Sequence, residues 1–303
     1  MNVLVTGASG FIGREACIQL KNKGYNVIGL YNKSSIKLDD IKLLKCDITK
    51  EEDLHKVFSS NKIDCVVHLA ANIPTRDEEE KNPLISINTN VIGTILLLEH
   101  SRRFNIKQFI YISTMSVFNF TDHLNAKEND LINPLSLYGL SKYGGELYCK
   151  FYSDNYNMDI TVLRLSGVFG VGKKNGAIYH FIKNSIEGKD LIIYGSGNQI
   201  SDYVYVKDVV GAIYLAIKKN IKGFEIFHIG SGKGITINHL VKIIQKKVFE
   251  KLGKKSKLIH TREISKTKFF FSIKKAQQLL GFKPRNIEDS INEMLDDMIN
   301  SNN

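Results

Sequence analysis

An alternation of short apolar runs with longer helical patterns constrains the fold of this chain more than any other feature. The runs are rich in β-branched residues and almost continuously apolar, which is typical of strands buried on both faces of a parallel sheet. The repetition of strand and helix predicts an α/β fold with a doubly wound parallel sheet. The predicted strands are Val3–Thr6, Asn26–Leu30, Lys42–Cys46, Cys65–Leu69, Gln108–Ser113 and Thr161–Leu165, and the predicted helices between them are Gly13–Lys23, Lys50–Ser60, Leu84–Phe104 and Tyr138–Tyr156.

Beyond residue 165 the alternation becomes irregular, which predicts a second, smaller α/β lobe woven into the first. A glycine-rich stretch at Ser166–Gly176 opens this region, and no Pro-rich linker separates it from the sheet. We predict that residues 1–165 and about 202–230 form the sheet domain, and that residues of about 166–201 and 231–303 form the smaller lobe. The further predicted elements are helices at Ala177–Glu187, Val209–Lys218 and Ile237–Lys251, strands at Leu191–Tyr194, Asp202–Val206, Phe224–Ile229 and Lys257–His260, and two last helices.

The basic charge balance does not by itself define a partner. The chain carries 42 Lys and Arg against 31 Asp and Glu, a formal net charge of +11. The lysines are scattered, and the densest stretch, Lys246 to Lys257, falls on a predicted helix and the turn after it, where a solvated face is the simpler interpretation. We therefore expect no nucleic-acid partner, whereas the phosphates of a cofactor and an anionic substrate would suit the surplus.

The N-terminal sequence and the cysteines predict a cytoplasmic protein. Met1-Asn2 leads directly into Val3-Leu4-Val5, which leaves no room for a signal peptide. No apolar run approaches the roughly 18 residues of a membrane span, so no membrane association is expected. The cysteines are widely spaced and are expected to be buried, reduced thiols that bind no metal: Cys17, Cys46, Cys65 and Cys149.

Three glycines after the first strand favour phosphate binding. Thr6-Gly7-Ala8-Ser9-Gly10-Phe11-Ile12-Gly13 joins the first predicted strand to the first predicted helix. Gly7 allows a tight turn, Gly10 lets the backbone approach a pyrophosphate, and Gly13 permits close helix–strand packing. The N–H groups and partial positive charge of the helix N-terminus would then bind the phosphates. A merely tight turn is the alternative, but this place in a doubly wound sheet favours a dinucleotide.

The end of the second strand predicts which dinucleotide is bound. In dinucleotide-binding folds an acidic residue there commonly holds the ribose 2′-hydroxyl. Here the strand ends in Tyr31-Asn32-Lys33-Ser34-Ser35, without a carboxylate, and Lys33 with the serines could receive a 2′-phosphate. We therefore expect NAD(P) as cofactor, with NADP slightly favoured over NAD. Asp47, after the third strand, is predicted either to accept from the adenine amino group or to cap the following helix.

A tyrosine four residues before a lysine is the predicted acid/base group. A tyrosine hydroxyl titrates at about 10, and a lysine on the same helical face is expected to lower its pKa. Only one such pair, Tyr138/Lys142, opens the helix after the fifth strand, beyond Thr114 at the edge where ligands bind in such sheets. We predict that Thr114 bonds the reacting oxygen, Tyr138 exchanges the proton, and Lys142 holds the phenolate and the nicotinamide ribose. The other pairs, expected to be core or surface residues, are Tyr179/Lys183, Tyr203/Lys207 and Tyr214/Lys218.

These residues resemble those of the extended short-chain dehydrogenase/reductases, in the NAD-dependent epimerase/dehydratase branch that acts on nucleotide sugars. The likeness covers nearly the whole chain and implies a Rossmann NAD(P)-binding domain for the sheet and a substrate-binding role for the smaller lobe. The segments that carry it are, in order, Thr6–Gly13, Val67–Ala71, Asn90–Thr94, Tyr111–Thr114, Tyr138–Lys142, Ile193–Gly197, Tyr203–Val209 and Leu280–Arg285.

The resemblance also implies the residues of the site. Thr114, Tyr138 and Lys142 would be the catalytic set, and Thr114 would contact the substrate. Arg262 falls where the family often has a diphosphate-binding arginine, although an ordinary surface arginine is equally compatible. The residues implied to line the cofactor are Gly10, Phe11, Ile12, Gly13, Asp47, Ile48, Leu69, Ala70, Ala71, Asn90 and Ser166.

Three departures from the family pattern bear on the substrate. The dehydratase members carry an Asp-Glu pair after the catalytic threonine, where this chain has Met115-Ser116, so elimination of water is not expected. Ser201-Asp202 stands where Arg-Asp is often found, which removes one expected phosphate contact. Gly167 replaces an asparagine that often follows Arg164 by three residues.

The leading hypothesis is NAD(P)-dependent hydride transfer on a nucleotide-linked sugar. C4 epimerisation and 4-keto reduction would use the same site, and retention of the cofactor by an epimerase would distinguish them. One alternative is an NADPH-dependent reductase of a non-nucleotide ketone or aldehyde. Another is a non-catalytic cofactor-sensing protein, which would need no proton-transfer residues.

Two helices predict a homodimer. Leu84–Phe104 and Tyr138–Tyr156 carry apolar residues on more than one face, so one face can pack on the sheet and another on a partner. The resemblance implies a dimer built from these two helices, and packing within the monomer is the alternative.

Overall fold

A seven-stranded parallel sheet forms the centre of the structure, a computed structural model that describes residues 1–34, 36–121, 123–262 and 267–301. The central strands are almost continuously apolar and are buried along their whole length, because helices cover both faces of the sheet. The strands, in chain order, are β1 (Asn2–Thr6), β2 (Asn26–Tyr31), β3 (Lys42–Lys45), β4 (Cys65–His68), β5 (Gln108–Thr114), β6 (His123–Ala126), β7 (Asp159–Leu165), β8 (Gly167–Phe169), β9 (Leu191–Ile193), β10 (Ile200–Ser201), β11 (Tyr203–Tyr205), β12 (Phe224–Ile229), β13 (Ile235–Thr236), β14 (Leu258–His260) and β15 (Phe269–Phe271).

The helices divide between the two faces of the sheet and a separate C-terminal group. They are α1 (Phe11–Asn22), α2 (Glu51–Ser59), α3 (Arg76–Lys81), α4 (Gly93–Arg103), α5 (Leu137–Tyr156), α6 (Ala177–Ile186), α7 (Val206–Lys219), α8 (Ile237–Leu252) and α9 (Ile287–Asn300). One core cluster joins the sheet to α1 and α7, and a second joins its other face to α2, α4 and α5. A third cluster joins α6, α8 and α9 with β9.

The strand order of the large sheet is β12-β7-β5-β4-β1-β2-β3, with every neighbouring pair parallel. The predicted doubly wound parallel sheet is therefore confirmed. The order reverses between β1 and β4, since the chain moves outward to β3 on one side and to β5 on the other. In open α/β sheets of this kind, a crevice for ligands forms at the carboxyl ends of the strands beside this reversal.

Two predicted elements differ from the structure. β3 was predicted to be buried on both faces, but Lys42 and Lys45 are exposed because β3 is the edge of the sheet. The helix predicted at Leu84–Phe104 is also wrong in its first part, where a π-helical turn at Asn88–Ile92 precedes α4. This turn directs the buried Asn90 side chain towards Asn72 and Ser141, to which it is hydrogen-bonded. Such turns interrupt α-helices mostly at functional sites.

Short strands pair in small ladders outside the large sheet: β6 with β15, β8 with β11, and β10 with β13. Of these, only β11 corresponds to a predicted strand, Asp202–Val206. α3 was also not predicted, and it begins with a capping box in which Thr75 and Glu78 bond each other's backbone N–H groups.

The cysteines are buried, free thiols, as predicted. Among the residues that the structure describes, no helix is long and apolar enough to cross a membrane. No group of three or more His, Cys, Asp or Glu side chains in the same ranges is arranged to hold a metal ion. The cytoplasmic location stays a prediction.

Candidate active site

The glycine-rich turn between β1 and α1 packs directly against the end of β4. Gly7 has a φ of +69°, and a Cβ there would lie 2.8 Å from the backbone nitrogen of Ala70. A Cβ on Gly13 would lie 2.7 Å from the carbonyl carbon of Gly7 and closer still to its oxygen. Gly10 begins α1 with no side-chain hydrogen bond to cap it. The first N–H groups of α1 have no partner within the helix, so this end can bind an anion.

The residues at the end of β2 lie at the surface. Tyr31 is half-buried, whereas Asn32, Lys33 and Ser34 are exposed, and Ser35 lies outside the described residues. No carboxylate stands in this run, so no acidic group is placed there to hold a ribose 2′-hydroxyl.

Asp47 does not cap α2, and this alternative was wrong. The residue that begins the helix is Lys50, which has no side-chain cap. Asp47 Oδ1 instead accepts hydrogen bonds from the backbone N–H and the hydroxyl of Thr49, at 3.0 and 2.7 Å. Burial raises the pKa of Asp47, but the bonds from Thr49, together with Asn32 and the charge of Lys50, leave its pKa below the usual value. The adenine contact stays a prediction.

The remaining residues that the resemblance implied for the cofactor fall into two groups. Phe11 and Ile12 in the first turn of α1, and Leu69, Ala70 and Ala71 beyond β4, are half-buried around the glycine-rich turn. Ile48 and Ser166 are buried instead. The Ile48 side chain belongs to the core, where a Cβ on Gly93 would lie 2.8 Å from its Cδ1.

Thr114 and Tyr138 meet at the carboxyl end of β5. Ser136 begins α5 by accepting a hydrogen bond from the backbone N–H of Gly139 at 3.0 Å. A Cβ on Gly139 would lie 2.9 Å from the carbonyl carbon of Ser116, so only glycine lets the helix approach the segment after β5 this closely. The side chains of Tyr138 and Thr114 consequently lie close to each other, and Thr114 lowers the pKa of the Tyr138 hydroxyl.

Lys142 lies one helical turn beyond Tyr138 and is almost completely buried. Its ammonium lies over the ring of Tyr111, 4.0 Å from the ring centroid, and donates no hydrogen bond to a group in the described ranges. Burial lowers the pKa of Lys142 to about 7, although Cys149 and Glu146 raise it. A buried ammonium without an acceptor is well suited to bind the hydroxyl oxygens of a ligand.

The expectation that Lys142 lowers the pKa of Tyr138 was wrong for this structure. Burial raises the pKa of the Tyr138 hydroxyl to about 12, although the neighbouring Thr114 lowers it. Removal from water disfavours the charged form of each group, so it favours the neutral phenol and the neutral amine together.

A buried ion pair lies next to Lys142, one of the predicted acid/base residues. Glu146 follows Lys142 by one turn on α5, and its carboxylate is 2.7 Å from Nη2 of Arg164 in β7. Arg164 Nε donates to both carboxylate oxygens, and the Ser113 hydroxyl donates to Oε1 at 2.5 Å. Both charged side chains are 2% exposed, so these bonds replace the water that the ion pair has lost.

Two charged residues near the site were not predicted from the sequence. Glu79 of α3 accepts a hydrogen bond from the backbone N–H of Tyr138 at 2.7 Å, and nothing in the acidic sequence of α3 indicates this contact. Lys173 Nζ lies 5.7 Å from the ring centroid of Phe11, in the first turn of α1, and donates to the carbonyl of Val168. The glycine-rich stretch after β7, which contains Lys173, is the signal that could have indicated a loop returning to the site.

Other predicted residues lie elsewhere. Arg262 is exposed, two residues beyond β14. Among the other tyrosine–lysine pairs, Tyr203 lies in β11 rather than on a helix, and Lys207 forms an ion pair with Glu293 at 2.5 Å. The pairs Tyr179/Lys183 and Tyr214/Lys218 lie on α6 and α7, away from the end of β5.

The sheet and the residues at its carboxyl edge define a doubly wound α/β protein of the dinucleotide-binding fold class, with a half-buried tyrosine and a buried lysine near the strand-order reversal. Residues 3–230 match the NAD dependent epimerase/dehydratase family, and the chain belongs to this family, as its motifs predicted. The chain is 35% identical to a putative UDP-glucose 4-epimerase of Methanocaldococcus jannaschii over 99% of both chains.

Solved structures are similar over the whole chain. UDP-glucose 4-epimerase of Thermotoga maritima with UDP-glucose has a TM-score of 0.89 and 31% identity, covering 100% of both chains. UDP-glucuronic acid 4-epimerase of Bacillus cereus, in complex with UDP-glucuronic acid and NAD, has a TM-score of 0.86 and 30% identity, covering 99% of this chain and 100% of that one.

Proposed function

We propose that this chain is an NAD-dependent 4-epimerase of a UDP-linked sugar. The observation that carries the proposal is the proximity of the Tyr138 side chain to Thr114, with the buried Lys142 one turn away, at the carboxyl edge of the sheet. The relatives named above act on UDP-glucose and on UDP-glucuronic acid, which supports a UDP-sugar substrate. The dehydratase chemistry of the family is not proposed, because Met115-Ser116 offers no carboxylate for the elimination of water.

The residues present fit a nicotinamide dinucleotide. The first turn of α1 offers backbone N–H groups for the diphosphate, and Gly7 and Gly13 leave no room there for a side chain. The buried ammonium of Lys142 has no acceptor among its described neighbours and would bind the ribose hydroxyls. When bound, the dinucleotide accepts hydride from the sugar carbon and returns it.

In this proposal the protein moves the proton. Thr114 donates a hydrogen bond to the oxygen on C4 of the sugar and orients it. Tyr138 takes the proton of that hydroxyl as hydride leaves C4, and gives it back when hydride returns to the opposite face. The smaller lobe, residues of about 166–201 and 231–303, would hold the UDP moiety, with Lys173 and Arg262 as candidate cations for the diphosphate.

NAD rather than NADP is proposed as the cofactor. The preference for NADP rested on Lys33, which is exposed, and the comparisons give it no support because the neighbour from Bacillus cereus is solved with NAD. We expect NAD to bind more tightly than NADP, with the ratio of the dissociation constants unchanged in a Lys33→Ala variant. A drop in NADP affinity alone in this variant would restore the role of Lys33.

A homodimer built on α4 and α5 belongs to the proposal. Ile92, just before α4, and Leu147 and Phe151 of α5 are exposed apolar side chains. Burying them against a second copy would remove this surface from water. Light scattering of the purified protein should give twice the monomer mass of 34.3 kDa, and Phe151→Glu should shift it towards the monomer.

The test of the function is a pair of tyrosine variants on α5. Tyr138→Phe removes the hydroxyl beside Thr114, whereas Tyr148→Phe changes an exposed tyrosine of the same helix. With UDP-glucose and UDP-glucuronic acid as substrates, Tyr138→Phe should lower kcat by about 10²–10⁴-fold, the usual share of a general acid/base, and Tyr148→Phe should not.

Both variants should retain bound NAD, and the wild type should need no added cofactor. Turnover by Tyr138→Phe at the wild-type rate would refute the assignment. Consumption of added NADH or NADPH in proportion to product would indicate a reductase instead.

A further inference from the structure

A row of buried hydrogen bonds starts beside the glycine-rich turn, the proposed phosphate-binding turn, and crosses the end of the sheet. Thr6, the last residue of β1, has its hydroxyl 2.8 Å from Nδ1 of His68 in β4. On the other side of the ring, Nε2 of His68 lies 2.9 Å from the hydroxyl of Thr94 in α4. All three side chains are completely buried.

The neighbours of the two hydroxyls assign the proton of His68. Thr94 donates its hydrogen to the carbonyl of Asn90 at 2.8 Å, so towards His68 it can only accept, and Nε2 must carry the hydrogen. Thr6 Oγ1 already accepts from the backbone N–H groups of Leu69 and Ala70, at 3.1 and 3.0 Å, so its own hydrogen is directed to Nδ1. The opposite tautomer would give Thr6 three donors and leave its hydrogen buried without an acceptor.

The charge of the ring is equally constrained. A protonated imidazole would donate at both nitrogens, which the Thr6 side does not accommodate. Burial lowers the pKa of His68 well below its usual value, and Lys142 lowers it further. The ring therefore stays neutral at physiological pH.

The row continues to the helix that carries the acid/base pair. The amide of Asn90, within the π-helical turn, donates to the hydroxyl of Ser141 at 2.9 Å. Ser141 in turn donates to the backbone carbonyl of Tyr138 at 2.8 Å. Each hydrogen in the row has an acceptor, so donation runs from Thr6 through His68 and Thr94 to the Asn90 carbonyl. From the Asn90 amide it runs through Ser141 to the carbonyl of Tyr138.

We propose that His68 is a positioning residue, held as the neutral Nε2–H tautomer, which fixes the phosphate-binding turn after Thr6 relative to the helix of Tyr138. The inference rests on the proposed function, since it concerns the alignment of a dinucleotide with that tyrosine. The rigid imidazole of His68 accepts at Nδ1 from the Thr6 hydroxyl and donates at Nε2 to the Thr94 hydroxyl. An amide side chain in its place would reach only one of these hydroxyls.

The tautomer can be measured without any assay of activity. In protein labelled with ¹⁵N histidine, the long-range ¹H–¹⁵N spectrum distinguishes the two tautomers of each of the 8 histidines. Comparison with the spectrum of His68→Asn assigns the signal of His68. We expect a protonated Nε2 and an unprotonated Nδ1 at neutral pH. A protonated Nδ1 would overturn the proposal whether or not the protein is an epimerase.

Two substitutions of His68 test its hydrogen bond with Thr6 and its hydrogen bond with Thr94 separately. His68→Asn keeps an acceptor near Thr6 and loses the donor to Thr94, whereas His68→Gln keeps the donor and loses the acceptor. We expect His68→Gln to weaken NAD binding about tenfold, the effect of one lost buried hydrogen bond, and His68→Asn to lower kcat by a similar factor with NAD affinity nearly kept. His100→Gln is the control, because His100 is also buried but bonds only within α4.

A purely structural role would give a different result. If both His68 variants lost stability as His100→Gln does, with kcat and NAD affinity unchanged, His68 would not position the site. Should the His68 variants fail to fold, Thr94→Val, which removes only a hydroxyl, provides the same comparison of kcat with NAD affinity.

Discussion

Replacing Gly13 by alanine should distort the glycine-rich turn, although alanine favours the helix. The added Cβ would lie 2.7 Å from the carbonyl carbon of Gly7, and closer to its oxygen. These are backbone atoms, so no rotation of a side chain can relieve the contact, and either the turn or α1 must move. The movement would displace the N–H groups at the N-terminus of α1 from the position in which they can bind a diphosphate.

The change in the free energy of unfolding follows from two opposing contributions. Alanine is better than glycine in a helix interior by about 1 kcal/mol. Overpacking of a well-packed interior costs about 1–3 kcal/mol, and the upper part applies because the contact is with backbone. Gly211 in α7 is the matched control, because a Cβ there would meet nothing within 4 Å. Gly211→Ala should therefore show only the stabilisation that alanine gives a helix. The two variants should differ by about 2–3 kcal/mol in free energy of unfolding.

Urea unfolding and NAD titration of the two variants test this reasoning. Gly13→Ala should be less stable than Gly211→Ala by the stated amount and should bind NAD at least about tenfold more weakly than wild type. If Gly13→Ala bound NAD normally and were as stable as Gly211→Ala, the close packing of the turn would not matter for the cofactor.

Three further variants test the buried charged residues at the site and next to it. Between pH 7 and 10.5 the unfolded chain should hold a proton on Lys142 that the native state has lost, because the pKa of Lys142 is lowered in the native state. The free energy of unfolding should therefore rise with pH through this window. In Lys142→Met this rise, measured by urea unfolding, should be smaller. Arg164→Met should cost about 3–5 kcal/mol of unfolding free energy because it leaves Glu146 buried without its partner, and the double variant Arg164→Met/Glu146→Gln should cost less than the first change alone.

The sheet could be predicted because each central strand carries its own signal. β5 and β7 are apolar on both faces and lie between long helices, so their sequence alone defines a buried parallel strand. β3 belongs to the same alternation of strands and helices along the chain. Its position at the edge of the sheet, however, depends on the strand order, which no local sequence pattern determines. The π-helical turn at Asn88–Ile92 depends on contacts with distant residues and has no periodic signal either.

The residues of the candidate site could be predicted from the sequence, but their pKa values could not. Thr114 and Tyr138 could be brought together because each follows from its position relative to β5 and α5. The pKa of Tyr138 could not be predicted, since the spacing to Lys142 gives a charge–charge distance but not the burial that outweighs it. The contact of Glu79 with the N-terminus of α5 joins two segments far apart in the sequence, and their meeting is a property of the folded chain.

The burial of Tyr138 predicts that it is a phenol, not a phenolate, in the protein without dinucleotide. Its pKa is raised to about 12, and Lys142 is only partly charged at neutral pH because its pKa is lowered to about 7. The proposed role of Tyr138 as a base therefore needs an additional positive charge, which the oxidised nicotinamide ring of bound NAD would supply. An ultraviolet difference titration of wild type against Tyr138→Phe should show no phenolate at neutral pH, and added NAD should shift this titration to lower pH; the same difference against Tyr148→Phe should not respond. A phenolate at neutral pH in the dinucleotide-free protein would mean that the charge of Lys142 outweighs burial.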